Sequence, residues 1–309
     1  MRTPSPYSAS PGPWVFVTGA SSGIGRAMAE ALCRGRYRVI ATVRREEDII
    51  ILKKELGTAV FPLLLDVTDE AGRREAFASA QALVGAEGLY ALMNNAGIGV
   101  AGPVECLPVD ALRHQFEVDV FSQIALVQLL LPLLRLGRYA RAGRIVNTCS
   151  ISDYTTMPFF GALCAAKQAL HGLGDALRQE LHSSGIHVVA LEPASIHTRS
   201  MEKVKESSGA LLEALTPEQR QRYGGMLGRF IEKFGAMDGQ GSPPSVVGET
   251  VRRILDAGRP RSRYITGRNG HVLAFFGRVL PDSVFDALKR RMFGLPNRFG
   301  GQSLRVPRG

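Results

Sequence analysis

The stretch Trp14-Val15-Phe16-Val17-Thr18-Gly19-Ala20-Ser21-Ser22-Gly23-Ile24-Gly25 decides the fold. Four apolar residues run straight into a glycine-rich turn, and a helical pattern follows from about Ile24 to Cys33. A continuous short apolar run bounded by such a turn is a buried strand. Glycine lets the chain turn tightly and lets the backbone approach a ligand closely. The helix that opens there offers unpaired N–H groups and the positive end of its dipole. Strand, glycine turn and helix together make a seat for a pyrophosphate, formed by Gly19, Ser21, Ser22, Gly23, Ile24 and Gly25.

Working outward, further β-rich runs lie at Tyr37–Val43, Ala59–Leu65, Leu89–Met93, Arg144–Thr148 and His187–Leu191. Helical stretches separate them at about Asp69–Val84, Val109–Leu136 and Gly161–His182. Strands alternating with helices predict an α/β fold with a parallel sheet covered on both faces. Right-handed crossovers make that sheet doubly wound and Rossmann-type. From about Ile196 to Gly241 the pattern is helical with no strand, as in a lid. A helix over Ser245–Ala257 and a last strand at Tyr264–Thr266 follow. These boundaries divide the chain into a mobile tail (1–12), a main domain (13–270, lid about 196–241) and an amphipathic C-terminal extension (271–309). The apolar residues of that extension are Phe275, Phe276, Val279, Leu280, Phe285, Leu288, Met292 and Phe293. Burial against the domain or in a dimer contact is the favoured reading, because a large apolar face is more often buried than lipid-bound. The alternative is a lid or peripheral membrane-surface helix.

Composition narrows the function classes. The chain has 309 residues, 45% of them apolar and 21% charged, ordinary values for a globular protein. The net charge of +10 comes from scattered arginines with no accompanying nucleic-acid motif, so no nucleic-acid partner is expected. Cys33, Cys106, Cys149 and Cys164 show neither a CxxC pair nor metal-ligand spacing, so they read as reduced thiols with no metal site. No secretory signal and no run of about 18 apolar residues appears, which points to a cytoplasmic protein without a transmembrane segment.

Several further motifs resemble those of the short-chain dehydrogenase/reductase family. Thr18 to Gly25 is similar to its TGxxxGxG motif, and Asp66-Val67 to its adenine-side acidic position. Asn94-Asn95-Ala96-Gly97 is similar to its NNAG motif. Pro193 to Thr198, including Ile196, resembles its PGxxxT loop with Ala194 in place of glycine, and there the threonine contacts the nicotinamide amide. The match runs from about Val15 to Thr198 and more loosely to about Gly267; its flanks look most like the retinol- and hydroxysteroid-type branch. The cofactor choice is a matter of charge. An acid about twenty positions beyond the glycine loop would favour NAD. Here the stretch is Ala41-Thr42-Val43-Arg44-Arg45, with no acid before Glu46, and Arg44 suits a 2′-phosphate. NADP(H) is therefore expected over NAD(H).

The resemblance also assigns a catalytic set and shows where this chain departs from it. In the family a tyrosine is the general acid/base, a lysine tunes it and binds ribose, a serine holds the substrate oxygen, and an asparagine anchors a relay water. Ser150 and Lys167 stand at the serine and lysine positions. Leu163, four residues before Lys167 and thirteen after Ser150, occupies the tyrosine position, and Asp119 the asparagine position. Leucine has no proton to give. Tyr154 is a candidate surrogate acid, with a substrate-wall aromatic as the plainer reading. Asp119 either carries a proton or pairs with Lys167. His197 reads as solvent-facing, and Cys164 points about 100° away from the Leu163 direction.

Three functions remain open from sequence. One is an NADP(H)-dependent oxidoreductase acting on an apolar carbonyl or alcohol by an atypical proton route. Another is a non-redox catalyst on the same fold, for cyclisation, elimination or isomerisation. The third is a catalytically inactive cofactor-binding partner, a pseudoenzyme. By resemblance, the long helices at Val109–Leu136 and Gly161–His182 imply a homodimer or homotetramer.

Overall fold

The computed structural model describes residues 12–137 and 139–300, so the expected tail at 1–12 lies almost wholly outside the described residues. Among the described residues there are seven strands, β1 (Trp14–Val17), β2 (Arg38–Val43), β3 (Val60–Leu64), β4 (Ala91–Asn94), β5 (Arg144–Thr148), β6 (His187–Pro193) and β7 (Arg263–Thr266). They form one sheet in the order β3-β2-β1-β4-β5-β6-β7, and every pairing is parallel. β1 is wholly buried because helices cover both faces, which is why its sequence is a continuous apolar run and not an alternating one.

Helices α1 (Gly23–Arg34), α2 (Glu46–Leu56) and α3 (Glu70–Val84) connect the first four strands. Helices α4 (Val109–Phe116) and α5 (Ser122–Leu136) are joined by a π-helical turn over Glu117–Phe121, giving one continuous helix. That helix is long and apolar enough to cross a membrane by length and composition alone, but over half of its apolar window is buried, as in a core helix. Helix α6 (Gly161–Glu180) precedes β6. The lid comprises α7 (Ser200–Ala214), the single turn α8 (Pro217–Gln219) and α9 (Gly225–Gly239). Helix α10 (Ser245–Asp256) then packs on α1, where Gly248 allows close approach: a Cβ there would lie 2.3 Å from the Ala27 carbonyl oxygen. The described part of the C-terminal extension holds two helices, α11 (Gly270–Val279) and α12 (Asp282–Phe293), separated at Leu280-Pro281; residues 301–309 of it lie outside the described residues.

The core has three parts. One apolar cluster lies on the α1/α10 side of the sheet and a second on the α3/α5 side. A third, smaller cluster joins the lid to α6 and α12 through Phe160, Phe230 and Phe293. Because β1 is followed by β2 on one side and β4 pairs on its other side, the strand order reverses at β1. Such a reversal opens a crevice at the carboxyl ends of the strands, the usual ligand position in doubly wound sheets.

Candidate active site

The glycine turn is locked to the loop after β4. Thr18, fully buried, accepts hydrogen bonds at Oγ1 from the N–H groups of Asn95 (2.8 Å) and Ala96 (2.9 Å). Asn95 returns its side-chain amide to the Thr18 carbonyl at 3.0 Å. Gly19 and Gly23 have φ of 67° and 57°, conformations that favour glycine. A Cβ at Gly25 would sit 2.2 Å from the Gly19 carbonyl oxygen, so the turn closes on itself only without a side chain. Ser22, the N-cap of α1, makes no side-chain cap, which leaves first-turn N–H groups for an external acceptor. Thr198 comes over this turn: a Cβ at Gly23 would touch its methyl carbon at 3.4 Å. The Pro193–Thr198 loop is fixed by Ala194 N–H donating to Thr266 O (2.8 Å) and by buried Ile196 bridging to Ser242.

At the ends of β2 and β3 stand Arg44 and Asp66. The Thr68 N–H, 2.9 Å away, is the main cause holding the Asp66 carboxyl below its ordinary range; the Thr68 hydroxyl and the Arg44 charge add to it, against partial burial. Arg45 is engaged elsewhere, pairing with Asp48 at 3.2 Å. Val67 is buried and its carbonyl accepts from Arg73.

The centre of the crevice is a buried ion pair. Lys167 Nζ lies 2.8 Å from Asp119 Oδ1 and donates to the Thr148 carbonyl at 2.9 Å. Asp119, on the π-helical turn, is wholly buried, and its Oδ2 accepts from Ile98 N–H (3.1 Å) and Gln115 Nε2 (2.6 Å). Among the described residues, the groups bonded to this carboxylate are the Ile98 N–H, the Gln115 amide and the Lys167 ammonium. An ammonium has three N–H bonds; with two committed to Asp119 and Thr148, one remains for a ligand. Gly97 lies directly against the pair, since a Cβ there would be 2.7 Å from Asp119 Oδ1 and 3.5 Å from Lys167 Nζ. Of the two sequence readings of Asp119, the structure has the salt bridge. Gln115 and Thr148 were missed by sequence reasoning; Gln115 carried one usable signal, its spacing of four residues from Asp119 on a helix.

Ser150 follows β5 and is partly exposed. Its hydroxyl oxygen accepts the Ser152 N–H at 3.1 Å, which leaves the hydroxyl proton available to another acceptor. Leu163 lies one turn before Lys167 on α6, and its side chain packs with the lid cluster of Met201, Val204, Phe230 and Phe293. That side of the crevice is an apolar wall. Tyr154 is not brought to Lys167. Its hydroxyl donates to Glu192 Oε2 (2.8 Å) and accepts from Arg278 (3.2 Å), whose guanidinium also lies 4.5 Å above its ring. His197 is 64% exposed and faces Asp238 at 3.5 Å. The buried Cys164 thiol is pushed up by desolvation.

Glu192 belongs to a second buried charge cluster that sequence reasoning also missed. His171 Nδ1 bonds Asp153 Oδ2 and lies 3.7 Å from Glu192 Oε1, while its Nε2 is 3.6 Å from Asp175. Arg263 donates to Asp175 at 3.0 Å and lies 3.9 Å from Glu192. The bond to Asp153 raises the His171 pKa, and burial raises that of Glu192. Cys149, whose ligand atom lies within 4.8 Å of those of Asp153 and His171, has its thiol pushed up by burial. All four cysteines are free. No spacing in the sequence announces this cluster, because its members come from four separate elements.

Comparison with known proteins agrees with this geometry. The sequence model of the family described as short chain dehydrogenase matches residues 13–209. The NADPH-dependent 3-dehydrocapnine reductase of Ornithobacterium rhinotracheale is 30% identical over 277 residues, covering 89% of this chain and 95% of that protein. Retinol dehydrogenase 5 of Homo sapiens is 29% identical over 281 residues, 89% of this chain and 87% of that one. The crystal structure of a short-chain dehydrogenase from Streptomyces avermitilis superposes with a TM-score of 0.70 at 26% identity, covering 91% of this chain and 96% of that one. The chain therefore belongs to the short-chain dehydrogenase family, in its retinol dehydrogenase-like branch.

Proposed function

We propose that the protein is an NADP(H)-dependent oxidoreductase of an apolar carbonyl or alcohol, in which no phenol on α6 delivers the proton. The observation that supports this reading is the uncapped glycine turn together with Lys167 bonded to the Thr148 carbonyl at the end of β5, two residues before Ser150, and apolar Leu163 one turn before Lys167. The glycine turn fits a pyrophosphate, since it is a cradle that a Cβ would fill. Arg44 would pair with a 2′-phosphate, and Asp66 and Val67 would flank the adenine. Asn95, Ala96 and Gly97 would line the adenosine side, Lys167 would hold ribose through its remaining N–H, and Thr198 would meet the carboxamide. The named activity of the Ornithobacterium rhinotracheale relative, NADPH-dependent reduction, supports the cofactor choice.

When bound, the nicotinamide supplies or accepts the hydride. The chain's own residues do the rest. Leu163, Val204 and Phe230 exclude water and select an apolar substrate. Ser150 donates its hydroxyl proton to the substrate oxygen and so orients the carbonyl. Asp119 holds Lys167 in place through their ion pair, and the ammonium supplies positive charge to developing oxyanion character. The proton that restores Ser150 Oγ comes from solvent, a slower route than a positioned acid by roughly 10²–10⁴-fold.

The test is NADPH oxidation across ketones, quinones, retinoids and steroids, with Ser150→Ala and Lys167→Ala as controls. Turnover that is lost in both variants is expected. No turnover by folded, NADPH-binding protein on any of them would overturn the redox reading. A second reading, non-redox catalysis in the same crevice, is favoured by Leu163 alone, because that residue removes the acid from α6. It requires product without loss of NADPH.

A further inference from the structure

Helix α11 faces the wrong way for a core helix. Its small residues Gly270, Ala274 and Gly277 lie against the domain. Its large apolar residues Val272, Phe275, Phe276 and Val279 are 53%, 60%, 40% and 54% exposed. These four are spaced i, i+3, i+4, i+7, one complete helical stripe. The helix cannot roll to bury them. A Cβ at Gly277 would lie 2.3 Å from the Tyr154 carbonyl oxygen, and one at Gly270 would lie 2.6 Å from Ile265 Cγ2. The inward face therefore admits only small residues, and the large ones are committed outward.

Helix α12 continues the surface. Phe293 is buried against Phe230, with ring centroids 4.8 Å apart, and Lys289 is anchored to the Thr156 carbonyl. Val284, Leu288 and Met292 stay exposed on the other side. Seven exposed large apolar side chains on two consecutive helices exceed the scatter of single apolar residues found on ordinary surfaces. Around them the charge is one-sided. Between Arg268 and Arg298 there are six lysines and arginines and only two acids, Asp282 and Asp286.

We infer that α11 and α12 form a docking surface for an anionic phospholipid bilayer, lying in the interface and not crossing it. An apolar stripe flanked by cations suits the headgroup region, where acyl chains take the apolar side chains and anionic lipids the basic ones. A second copy of this chain suits the surface poorly, since it would bring two identical cationic rims together. The docking surface is independent of the reaction assigned to the crevice. It does adjoin the crevice wall, because Phe293 of α12 packs in the same cluster as Leu163.

Co-sedimentation of the full chain with vesicles tests this. Wild type is expected to bind phosphatidylcholine vesicles containing phosphatidylserine, to bind pure phosphatidylcholine vesicles at least roughly tenfold more weakly, and to be released by high salt. The Phe275→Ser/Phe276→Ser variant should lose binding to both. The Arg290→Glu/Arg291→Glu variant should lose the preference for phosphatidylserine while keeping the apolar stripe. Phe275, Phe276 and Arg291 are exposed and Arg290 is half-buried, with none of them in the core, so far-UV circular dichroism should match wild type. Failure of folded wild type to bind phosphatidylserine vesicles overturns the inference. So does conversion of a dimer to a monomer by Phe275→Ser/Phe276→Ser in light scattering, which would show that a second copy covers this face.

Discussion

The two halves of the crevice are built by different means. On the cofactor side, contacts are made by backbone: Gly25 lies where a Cβ would strike the Gly19 carbonyl oxygen, and Gly19 where one would come within 2.9 Å of Ala96 Cα. On the substrate side, side chains form the contacts: the Asp119–Lys167 pair, the Ser150 hydroxyl and the Leu163 wall. Backbone contacts of that closeness prescribe glycine, so the motif keeps its letters. Side-chain contacts prescribe only volume and charge balance. Asp119 sets a negative charge directly against the Lys167 ammonium, and Leu163 merges into the lid cluster; on the proposed reading these two stand at the family's asparagine and tyrosine positions.

The most severe challenge to this contrast is restoring the acid. Leu163→Tyr would place a phenol one helical turn from Lys167, whose charge stabilises a phenolate. NADPH-dependent reduction of small ketones is expected to rise by ~10²–10⁴-fold, the worth of a positioned acid. Because Asp119 neutralises the lysine, Leu163→Tyr combined with Asp119→Asn should exceed the single variant. Steady-state kinetics with a Lys167→Ala background as control would measure this. No gain in either folded variant would mean that the substrate half differs by more than the side chains at these two positions.

Breaking the ion pair is the next largest effect. Lys167→Met leaves a wholly buried carboxylate whose remaining partners among the described residues are the Ile98 N–H and the Gln115 amide. Removal of one member of a buried pair typically destabilises by about 3–5 kcal/mol. The Lys167→Met/Asp119→Asn double variant should recover much of that loss, since neither charge is then stranded. Urea unfolding of the four proteins forms the cycle. An unchanged midpoint in Lys167→Met would remove the pair from the account of this site.

Gly97 sits where the two halves meet. Gly97→Ala would push a methyl group to 2.7 Å from Asp119 Oδ1, so carboxylate or loop must shift. Overpacking of this kind costs about 1–3 kcal/mol. NADPH affinity, measured by fluorescence titration, should fall with it, because the same loop carries Asn95 and Ala96. Retained stability and affinity would show that the substrate half yields to the backbone half without loss.

The same contrast explains how much the sequence disclosed. Every strand of the sheet was legible, because β1 and its neighbours are continuous apolar runs punctuated by glycine turns. Helix α2, Glu46–Leu56, was not, since only Asp48 and Leu52 of its residues are buried and its apolar period is weak. The extension after His271 reads as a helix packed on the domain or in a dimer contact; it is two helices that bury Ala274 and Phe293 and leave Val272, Phe275, Phe276, Val279, Val284, Leu288 and Met292 exposed. The deciding contacts are at Gly270 and Gly277, and a residue's neighbours in space are not written in its periodicity. The Thr18–Gly25 turn lies against Asn95 and Ala96 and close to Thr198, whereas Tyr154, close in sequence to Ser150, turns to Glu192 and Arg278. Proximity in a loop does not fix the direction of a side chain; Glu192 and Arg278 do.

The smallest expected effect concerns the cluster behind that tyrosine. His171 is held among Asp153, Asp175, Glu192 and Arg263, and the bond to Asp153 raises its pKa above the ordinary value of 6.5. Between the unfolded value and the folded one, the native state holds a proton that the unfolded chain has released. Stability therefore falls as pH rises through that window, and the contribution is complete only below about 6.5. Glu192, raised by burial, acts with the same sign from its ordinary 4.5 upward. The expected loss is about 1–2 kcal/mol, the scale of one charge-assisted hydrogen bond. Urea midpoints from pH 6 to 9 should show it, and His171→Gln should flatten the slope without changing NADPH affinity, since His171 touches none of the cofactor-side residues. A slope that survives in His171→Gln would assign the pH dependence to Glu192 instead. A wild-type profile that rises across this range would mean that Asp153 does not hold a protonated imidazole, and the substrate half would then rest on one buried charge pair and not two.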